Sequence, residues 1–222
     1  MNKSFYLLAS SSINQLLRFL SVFIFMTYSS PEIYSEWVSI ALILQYSLFL
    51  QFGSPQAMHR EIAISYGNND KDGIFNLISS AIINYFIATA LLTIILFIFN
   101  KSELVIPTLI YISLVNIGNL FLLQTRAKFE IKKSSIAMIL DGFILIICSL
   151  ILIPKYGILG LISSLCVGSL ANVLICFPYS IFKYPLPTNL ISKSLELIKN
   201  GAPLLLFNFL VLIKDSWDFI FM

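Results

Sequence analysis

Charged residues are scarce in this sequence. Lysine and arginine number 14, aspartate and glutamate 11, and histidine one, so that 11% of the 222 residues are charged. Soluble globular domains average about 25%, and a chain this poor in charge lacks the polar surface that a water-soluble fold requires. The three cysteines (Cys148, Cys166, Cys176) form no CxxC pair and no metal-ligand spacing. We therefore expect neither a soluble domain nor a metal or other cofactor.

Long apolar runs take up most of the chain. Hydrophobic residues make up 58% of the sequence, and the mean hydropathy is +0.90. Crossing a bilayer as a helix takes roughly 20 apolar residues. The runs are continuous, whereas the strands of a membrane barrel are about ten residues long and alternate in polarity. The sequence predicts an all-α, polytopic transmembrane helix bundle with about seven spans, near residues 5–27, 34–56, 74–99, 103–124, 134–153, 157–178 and 201–222.

The lysine and arginine positions predict the orientation of this bundle. With the N-terminus inside, the inner segments hold ten basic residues and the outer loops two, and cytoplasmic loops carry the basic excess. The N-terminus is therefore predicted to be cytoplasmic. The net charge of +3 favours anionic lipid at the inner surface and gives no case for nucleic acid. The inner residues are Lys3, Arg60, Lys71, Arg126, Lys128, Lys132, Lys133, Lys183, Lys193 and Lys199; the outer ones are Lys101 and Lys155.

Two ionisable residues lie deep within predicted spans, where charge is costly and commonly faces a cavity or a partner. Arg18 shares a helix face with Asn14, four residues earlier. Its planar guanidinium suits a phosphate in a cavity, and the alternatives are a buried pair or an anchor at the outer interface. Asp141, in the fifth span, either pairs with a basic residue of a neighbouring helix or binds a coupling cation.

Charged residues at span ends allow both functional and structural interpretations. Arg60, next to the single histidine, His59, is either an inner-surface cap or a guide for substrate at the inner mouth. Lys214 and Asp218 in the seventh span are spaced i,i+4, which is typical of an intrahelical pair. They are also candidates for the lining of a cavity.

Uncharged polar residues within the spans also have two interpretations. Asn116 and Asn119 lie on one helix face, and their amides suit either sugar hydroxyls or contacts between helices. Small residues at i,i+4 steps in the sixth span predict close helix packing. This ridge consists of Gly160, Ser164, Gly168 and Asn172.

The order and spacing of several segments resemble a known family. The sequence is similar to the polysaccharide-transporter branch of the multidrug/oligosaccharidyl-lipid/polysaccharide exporter superfamily, which includes O-antigen flippases and, more distantly, lipid II flippases and MATE exporters. Ser35 stands where the family usually has glycine. Family members have about twice as many spans, in two lobes. The segments that carry the resemblance are 11–18, 32–37, 52–62, 124–133, 156–161 and 201–204.

The resemblance implies a fold and an activity. It implies a MATE-like N-terminal lobe of six helices at 1–182, a cytoplasmic connecting loop at 183–200, and the first helix of a truncated second lobe at 201–222. The expected activity is the flipping of a polyprenyl-diphosphate-linked oligosaccharide, such as an O-antigen unit, to the outer leaflet of a bacterial inner membrane. Arg18 matches the basic first-helix position expected to bind the diphosphate. Besides this substrate and membrane lipid, a polysaccharide polymerase and other assembly proteins are candidate partners.

Three alternatives remain beside the flippase. A MATE-like drug or cation antiporter belongs to the same superfamily, and an inert transporter fragment or scaffold would need no substrate. A membrane transferase would need clustered acidic metal ligands near the inner surface. The acidic residues there form no recognisable catalytic motif, so we expect a protein that is not an enzyme. These residues are Glu61, Asp70, Asp72, Glu130 and Glu196.

Overall fold

The fold is entirely helical within the residues that the structure, a computed structural model, describes. These are residues 3–47, 49–99, 104–178 and 190–220, with side chains described for all but 3–4, 95, 97–99 and 207–220. One short 3-10 helix, Phe49–Gln51, accompanies the α-helices. The α-helices are α1 (Lys3–Tyr28), α2 (Pro31–Ser47), α3 (Ser54–Gly67), α4 (Lys71–Phe99), α5 (Val105–Ala127), α6 (Ile131–Tyr156), α7 (Ile158–Cys176) and α8 (Leu190–Ile220).

Six segments of the described chain are long and apolar enough to cross a membrane. They correspond to the first six predicted spans, which confirms the prediction of a polytopic helical bundle. Residues 201–220 of the predicted seventh span, 201–222, lie in α8, and most side chains of this span fall outside the described residues. The predicted orientation stays a prediction. The six segments are Phe5–Tyr28, Pro31–Gln51, Lys71–Ile94, Val105–Ala127, Ile131–Tyr156 and Ile158–Cys176.

The second predicted span is broken, which corrects the prediction of one helix over 34–56 followed by a loop over 57–73. The chain turns at Phe52 and Gly53, whose φ angles are 51° and 74°. A right-handed helix cannot continue through left-handed backbone. Pro55 then occupies the first turn of α3, a position where the missing N–H of proline costs nothing. Most of the predicted loop is therefore helix α3.

Helix α8 begins earlier than predicted. Residues 190–200, predicted as part of a connecting loop, are helical. Their inner face is buried, with Leu197 2% and Ser194 5% exposed. The side chains of Ser194 and Asn84 on α4 hydrogen-bond each other, and Asn84 Nδ2 also donates to the Ser194 carbonyl oxygen at 3.2 Å. Burial against α3 and α4 stabilises this helical segment. Averaging the hydropathy over a window of residues does not detect it.

The core divides into two apolar clusters. One contains Trp37, Val115 and Leu145, and the other Ala57, Leu120 and Ala137. On α5 and α6, Asn116 and Asp141 stand between the parts of the helix that enter the two clusters. We call these two residues and the polar residues grouped with them on other helices the polar belt, which comprises Asn14, Arg18, Ser47, Gln51, Asn116, Asp141 and Asn172.

Small residues bring α5, α6 and α7 close together, as the i,i+4 ridge predicts. The four ridge residues are buried on α7. A methyl group on Gly168 would lie 2.7 Å from Asp141 Oδ1, and one on Gly118 would lie 3.4 Å from Asn172 Cβ. The ridge is therefore a packing surface, and it places α7 directly against the acidic residue of α6.

Candidate functional site

An ion-paired cluster joins α1 to α6 in the middle of the bundle. Arg18 Nη2 lies 2.6 Å from Asp141 Oδ2, which also accepts a hydrogen bond of 3.0 Å from Asn14 Nδ2. Arg18 Nε donates to Asn14 Oδ1 at 2.9 Å, and Asn14 Nδ2 reaches the Met138 carbonyl oxygen at 2.5 Å. The i,i+4 spacing of Asn14 and Arg18 places both side chains on the same carboxylate.

The two charges of this pair lie in different environments. The Asp141 side chain is 2% exposed and the Arg18 side chain 33% exposed. Among the interpretations of each residue, the structure favours a charged partner: Asp141 has a basic partner on a neighbouring helix, and Arg18 has an acidic one. The third guanidinium nitrogen, Nη1, makes no hydrogen bond to the described residues. Arg18 therefore presents one donor edge outward while Asp141 fixes its orientation.

One oxygen of the buried carboxylate is left without a partner. Asp141 Oδ1 makes no hydrogen bond to the described part of the chain. Glycine at position 168 leaves room for this oxygen, since a side chain there would overlap it. A buried carboxylate oxygen without a partner is costly in a medium of low dielectric constant, and it is the kind of atom that accepts a proton or a cation.

A second polar site lies between the α2–α3 junction and α5. It is a cavity of about 220 Å³, and both asparagines that the sequence predicts to share a face line it. Asn116 is 5% exposed and donates to Ser47 Oγ at 3.2 Å, whereas Asn119 is exposed. The other lining residues are Gln51, Pro55, Gln56, Leu120, Leu122, Leu123 and Arg126.

The remaining predicted site residues lie elsewhere. Arg60 on α3 has a side chain 60% exposed and pairs with adjacent Glu61 at 2.6 Å, which fits the interpretation as an inner-surface cap. Lys214 and Asp218 lie on α8, and their side chains fall outside the described residues, so their proposed roles stay predictions. The structure thus brings together Asn14, Arg18 and Asp141 in one cluster, and Asn116 and Asn119 in another.

Three polar residues of the cavity were not among the predicted site residues: Gln51, Gln56 and Arg126. Gln51 and Gln56 flank the break in the second span, so a sequence interpretation that runs one helix through 34–56 cannot bring them to one site. Arg126 is one of several basic residues near the end of the fourth span, where it serves as evidence for orientation. The sequence offers no separate signal for Arg126, because the predicted fourth span ends at residue 124 whereas α5 continues to Ala127 and so includes it.

No described cluster of acidic, histidine or cysteine side chains has three members placed to hold a metal ion. The described cysteines are free, Cys176 buried and the other two partly buried.

The single histidine lies beside the cavity arginine. His59 is on α3, outside the six candidate spans, and burial and then the positive charge of Arg126 lower its pKa below the ordinary value of 6.5. Between the lowered folded-state pKa and 6.5, the unfolded chain binds more protons, so stability rises with pH in this window. His59 is therefore neutral at pH 7 in the folded protein.

Acidification should destabilise the protein through His59. We expect the melting temperature in detergent to fall as the pH decreases from 7 through the folded-state pKa of His59, because the folded protein then has to accept a proton beside Arg126. His59→Gln should remove this part of the pH dependence. Parallel melting-temperature profiles for the wild type and His59→Gln over pH 7 to 5 would contradict the expectation.

Comparisons with solved structures identify the architecture. An outward-facing multidrug resistance MATE family transporter of the MOP superfamily aligns with a TM-score of 0.67 and 16% identity over 91% of this chain and 51% of that chain. The crystal structure of a MATE mutant aligns at 0.69 and 15% over 93% and 53%. An inward-facing MATE transporter aligns at 0.59 and 17% over 88% and 53%. No protein-family model and no curated protein matches the sequence.

The chain spans about half the length of these transporters. Identities of 15–17% establish similarity of fold and nothing narrower. The chain is therefore a multi-pass, all-helical membrane protein with the MATE-type fold over about half the length of a MATE transporter.

Proposed function

We propose that the chain forms one lobe of a transporter that flips a polyprenyl-diphosphate-linked oligosaccharide from the inner to the outer leaflet of a bacterial cell membrane. In this proposal residues 1–182 form the N-terminal lobe, residues 183–200 connect it to the helix that begins the second lobe, and no catalytic step is involved. The lipid-linked sugar is the substrate, and polysaccharide polymerase or other assembly proteins are the partners that would use the product.

The charge balance inside the lobe carries the proposal. The buried carboxylate of Asp141 is compensated by Arg18. Arg126, at the end of the fourth span, has no acidic group within salt-bridge distance among the described residues. The charge that remains uncompensated, at the end of the fourth span, is thus positive. A positive charge there favours an anionic substrate such as a diphosphate. A cationic drug would gain nothing from it.

Arg18 contributes to this proposal in a fixed orientation. Asp141 and Asn14 hold two of its nitrogens, so that the outward edge of the guanidinium needs little reorganisation when a phosphate approaches. Preorganised arginines bind phosphate well, because the fork of donors matches its oxygens. Compensation by Asp141 weakens the attraction, and Arg18 therefore orients a substrate more than it attracts one.

A MATE-like cation antiporter is the second candidate, and one observation favours it. Asp141 Oδ1 is buried without a hydrogen-bond partner in the described chain. A proton or a small cation bound there would compete with Arg18 for the carboxylate. The two candidates differ in the charge of what is transported, so a transport assay separates them.

Reconstitution provides this assay. The protein, expressed from its complete gene, is placed in proteoliposomes with a fluorescent polyprenyl-diphosphate oligosaccharide. A membrane-impermeant quencher then measures the fraction of probe in the outer leaflet. We expect the protein to raise the rate of exchange between leaflets at least tenfold over empty liposomes, and Arg18→Ala/Asp141→Ala to abolish the gain. The paired substitution leaves no uncompensated charge, so its loss of flipping reports on the Arg18–Asp141 pair rather than on misfolding.

The same liposomes test the alternative. Uptake of a fluorescent organic cation driven by a pH gradient, with no exchange of the lipid-linked sugar, would overturn the flippase proposal in favour of antiport. Phosphatidylcholine bearing the same fluorophore is the control for non-specific scrambling, and equal exchange of both lipids would likewise contradict substrate-specific flipping.

A further inference from the structure

We propose that the cavity between the α2–α3 junction and α5 binds a phosphate-linked sugar, with Arg126 holding the phosphate and the amides of Gln56 and Asn116 holding sugar hydroxyls. The inference deepens the proposed function and rests on it for the identity of the lipid. The existence of the site rests on the geometry alone.

The cavity has the size and lining of a small polar site. Its volume of about 220 Å³ is below the 300 Å³ or so at which pockets for drug-sized ligands begin, and it suits the small polar head of a ligand rather than a drug-sized molecule. Four amide side chains and one guanidinium line it, together with the apolar side chains of Pro55 and three leucines. A mixed lining of this kind matches a sugar, which has apolar C–H faces and a polar rim.

Polar atoms of the lining lack partners. Asn116 is 5% exposed, and its Oδ1 makes no hydrogen bond to the described residues, although its Nδ2 does. Gln56 Oε1 and Arg126 Nε are likewise buried without a partner in the described chain. Buried polar atoms are nearly always hydrogen-bonded, and these three belong to residues that line one cavity, so a ligand or water bound there would complete them.

The unpartnered atoms define the chemistry of the ligand. Two are oxygen acceptors and one is a charged donor, so a complementary ligand offers hydroxyl donors and an anionic acceptor. Among the described residues Arg126 Nη2 hydrogen-bonds to the Met138 sulfur, at 2.7 Å, a weak acceptor that leaves its charge uncompensated. A sugar carrying a phosphate supplies both the hydroxyls and the anion.

The position of the cavity suits the beginning of a transport cycle. Arg126 lies in the last turn of α5, at the end predicted to face the cytoplasm, and exposed Asn119 opens the cavity to the surface of the lobe. Asn116, farther into the bundle, belongs to the polar belt. A ligand bound here would therefore extend from the predicted inner surface toward the middle of the membrane.

Binding measurements on the purified protein in nanodiscs test the site. Three probes are titrated: polyprenyl diphosphate, the same lipid carrying one N-acetylhexosamine, and phosphatidylglycerol, a glycerol-bearing anionic phospholipid. We expect Arg126→Gln to weaken binding of both polyprenyl probes about tenfold to a hundredfold, the range for losing a hydrogen bond to a charged group. Asn116→Ala and, as a more peripheral variant, Gln56→Ala should weaken only the probe that carries the sugar.

Arg60→Gln is the matched control. Arg60 is an exposed arginine of the same region that is paired with Glu61 and absent from the cavity lining, so its loss should leave all three affinities within about twofold. Unchanged affinity in Arg126→Gln, or equal losses in Arg126→Gln and Arg60→Gln, would overturn the proposal. Equally tight binding of phosphatidylglycerol would overturn the assignment to a sugar-linked lipid and show a general anionic-lipid site.

His59 supplies a second readout that does not depend on affinity. It is the only histidine, so isotope-labelled histidine gives one NMR signal, and the charge of Arg126 is one cause of its lowered pKa. A phosphate on Arg126 should raise the pKa of His59 in the wild type and leave it unchanged in Arg126→Gln. No rise at saturating probe contradicts the site. Binding without flipping in the liposome assay would retain the site and reject only the proposed transport.

Discussion

Arg18→Leu should be among the most destabilising single substitutions in the chain. It leaves the Asp141 carboxylate 2% exposed and without its counter-charge. Breaking a buried ion pair from one side costs about 3–5 kcal/mol, and we expect the lower end, about 3 kcal/mol, because Arg18 itself is one-third exposed. Thermal melting in detergent, followed by the fluorescence of the tryptophans, measures the effect.

The two halves of the pair should behave unequally. Asp141→Asn leaves an arginine that is partly exposed and able to reach water or headgroups, so its melting temperature should fall less than that of Arg18→Leu. Arg18→Leu/Asp141→Leu should recover most of the loss, since replacing both members of a buried pair by apolar residues is often neutral. Recovery will be incomplete because the Asn14 amide loses its hydrogen bonds to Asp141 and Arg18 and keeps only the one to the Met138 carbonyl oxygen.

An exposed pair of the same chain serves as the control. Lys133 and Glu130 lie 3.7 Å apart, with side chains 38% and 47% exposed. Pairs of this kind contribute about 0–1 kcal/mol, so Glu130→Gln should barely move the melting temperature. If Arg18→Leu and Glu130→Gln melt at the same temperature, or the double variant melts below both single variants, the buried pair does not hold α1 to α6 as described here.

The sequence predicts that Arg18 and Asp141 each need a partner, but it does not predict the cavity. A lone arginine and a lone aspartate deep in different spans each need a partner, and an unspecified charged partner was one of the open alternatives for each of them. The cavity depends on a turn through Phe52 and Gly53. Phenylalanine rarely adopts a positive φ, so only Gly53 hints at the break that brings Gln51 and Gln56 opposite α5.

Hydropathy explains which helices the sequence predicts correctly and which helical segment it does not predict. Six spans are predicted because a bilayer-length apolar run is a strong and local signal. The start of α8 is missed because residues 190–200 are amphipathic, and their helix is stabilised by contacts with α3 and α4 that are distant in sequence. Arg126 is not predicted as a site residue, because a basic residue near the cytoplasmic end of a span is expected in any membrane protein of this orientation.

Gly201→Ala should release the first part of α8 from the lobe. Gly53, in the turn before α3, and Gly201, on α8, lie so close that a methyl group on either would overlap the backbone carbonyl of the other. An alanine in a helix is ordinarily about 1 kcal/mol more stable than a glycine. Here the overlap involves backbone that no rotamer change relieves, so the strain of about 1–3 kcal/mol or more dominates. We expect a lower melting temperature and faster tryptic cleavage at Lys193 and Lys199.

Gly67→Ala is the control that separates the effect of the Gly53–Gly201 contact from a general effect of replacing glycine by alanine. Gly67 ends α3, and nothing lies within 4 Å of a methyl group there, so its replacement should leave both readouts unchanged or slightly raise the melting temperature. Gly53→Ala should be at least as harmful as Gly201→Ala, since Gly53 also needs its φ of 74°. The double alanine variant should lose less than the sum, because both substitutions break one contact. If Gly201→Ala matches Gly67→Ala in both assays, α8 does not pack against the α2–α3 turn.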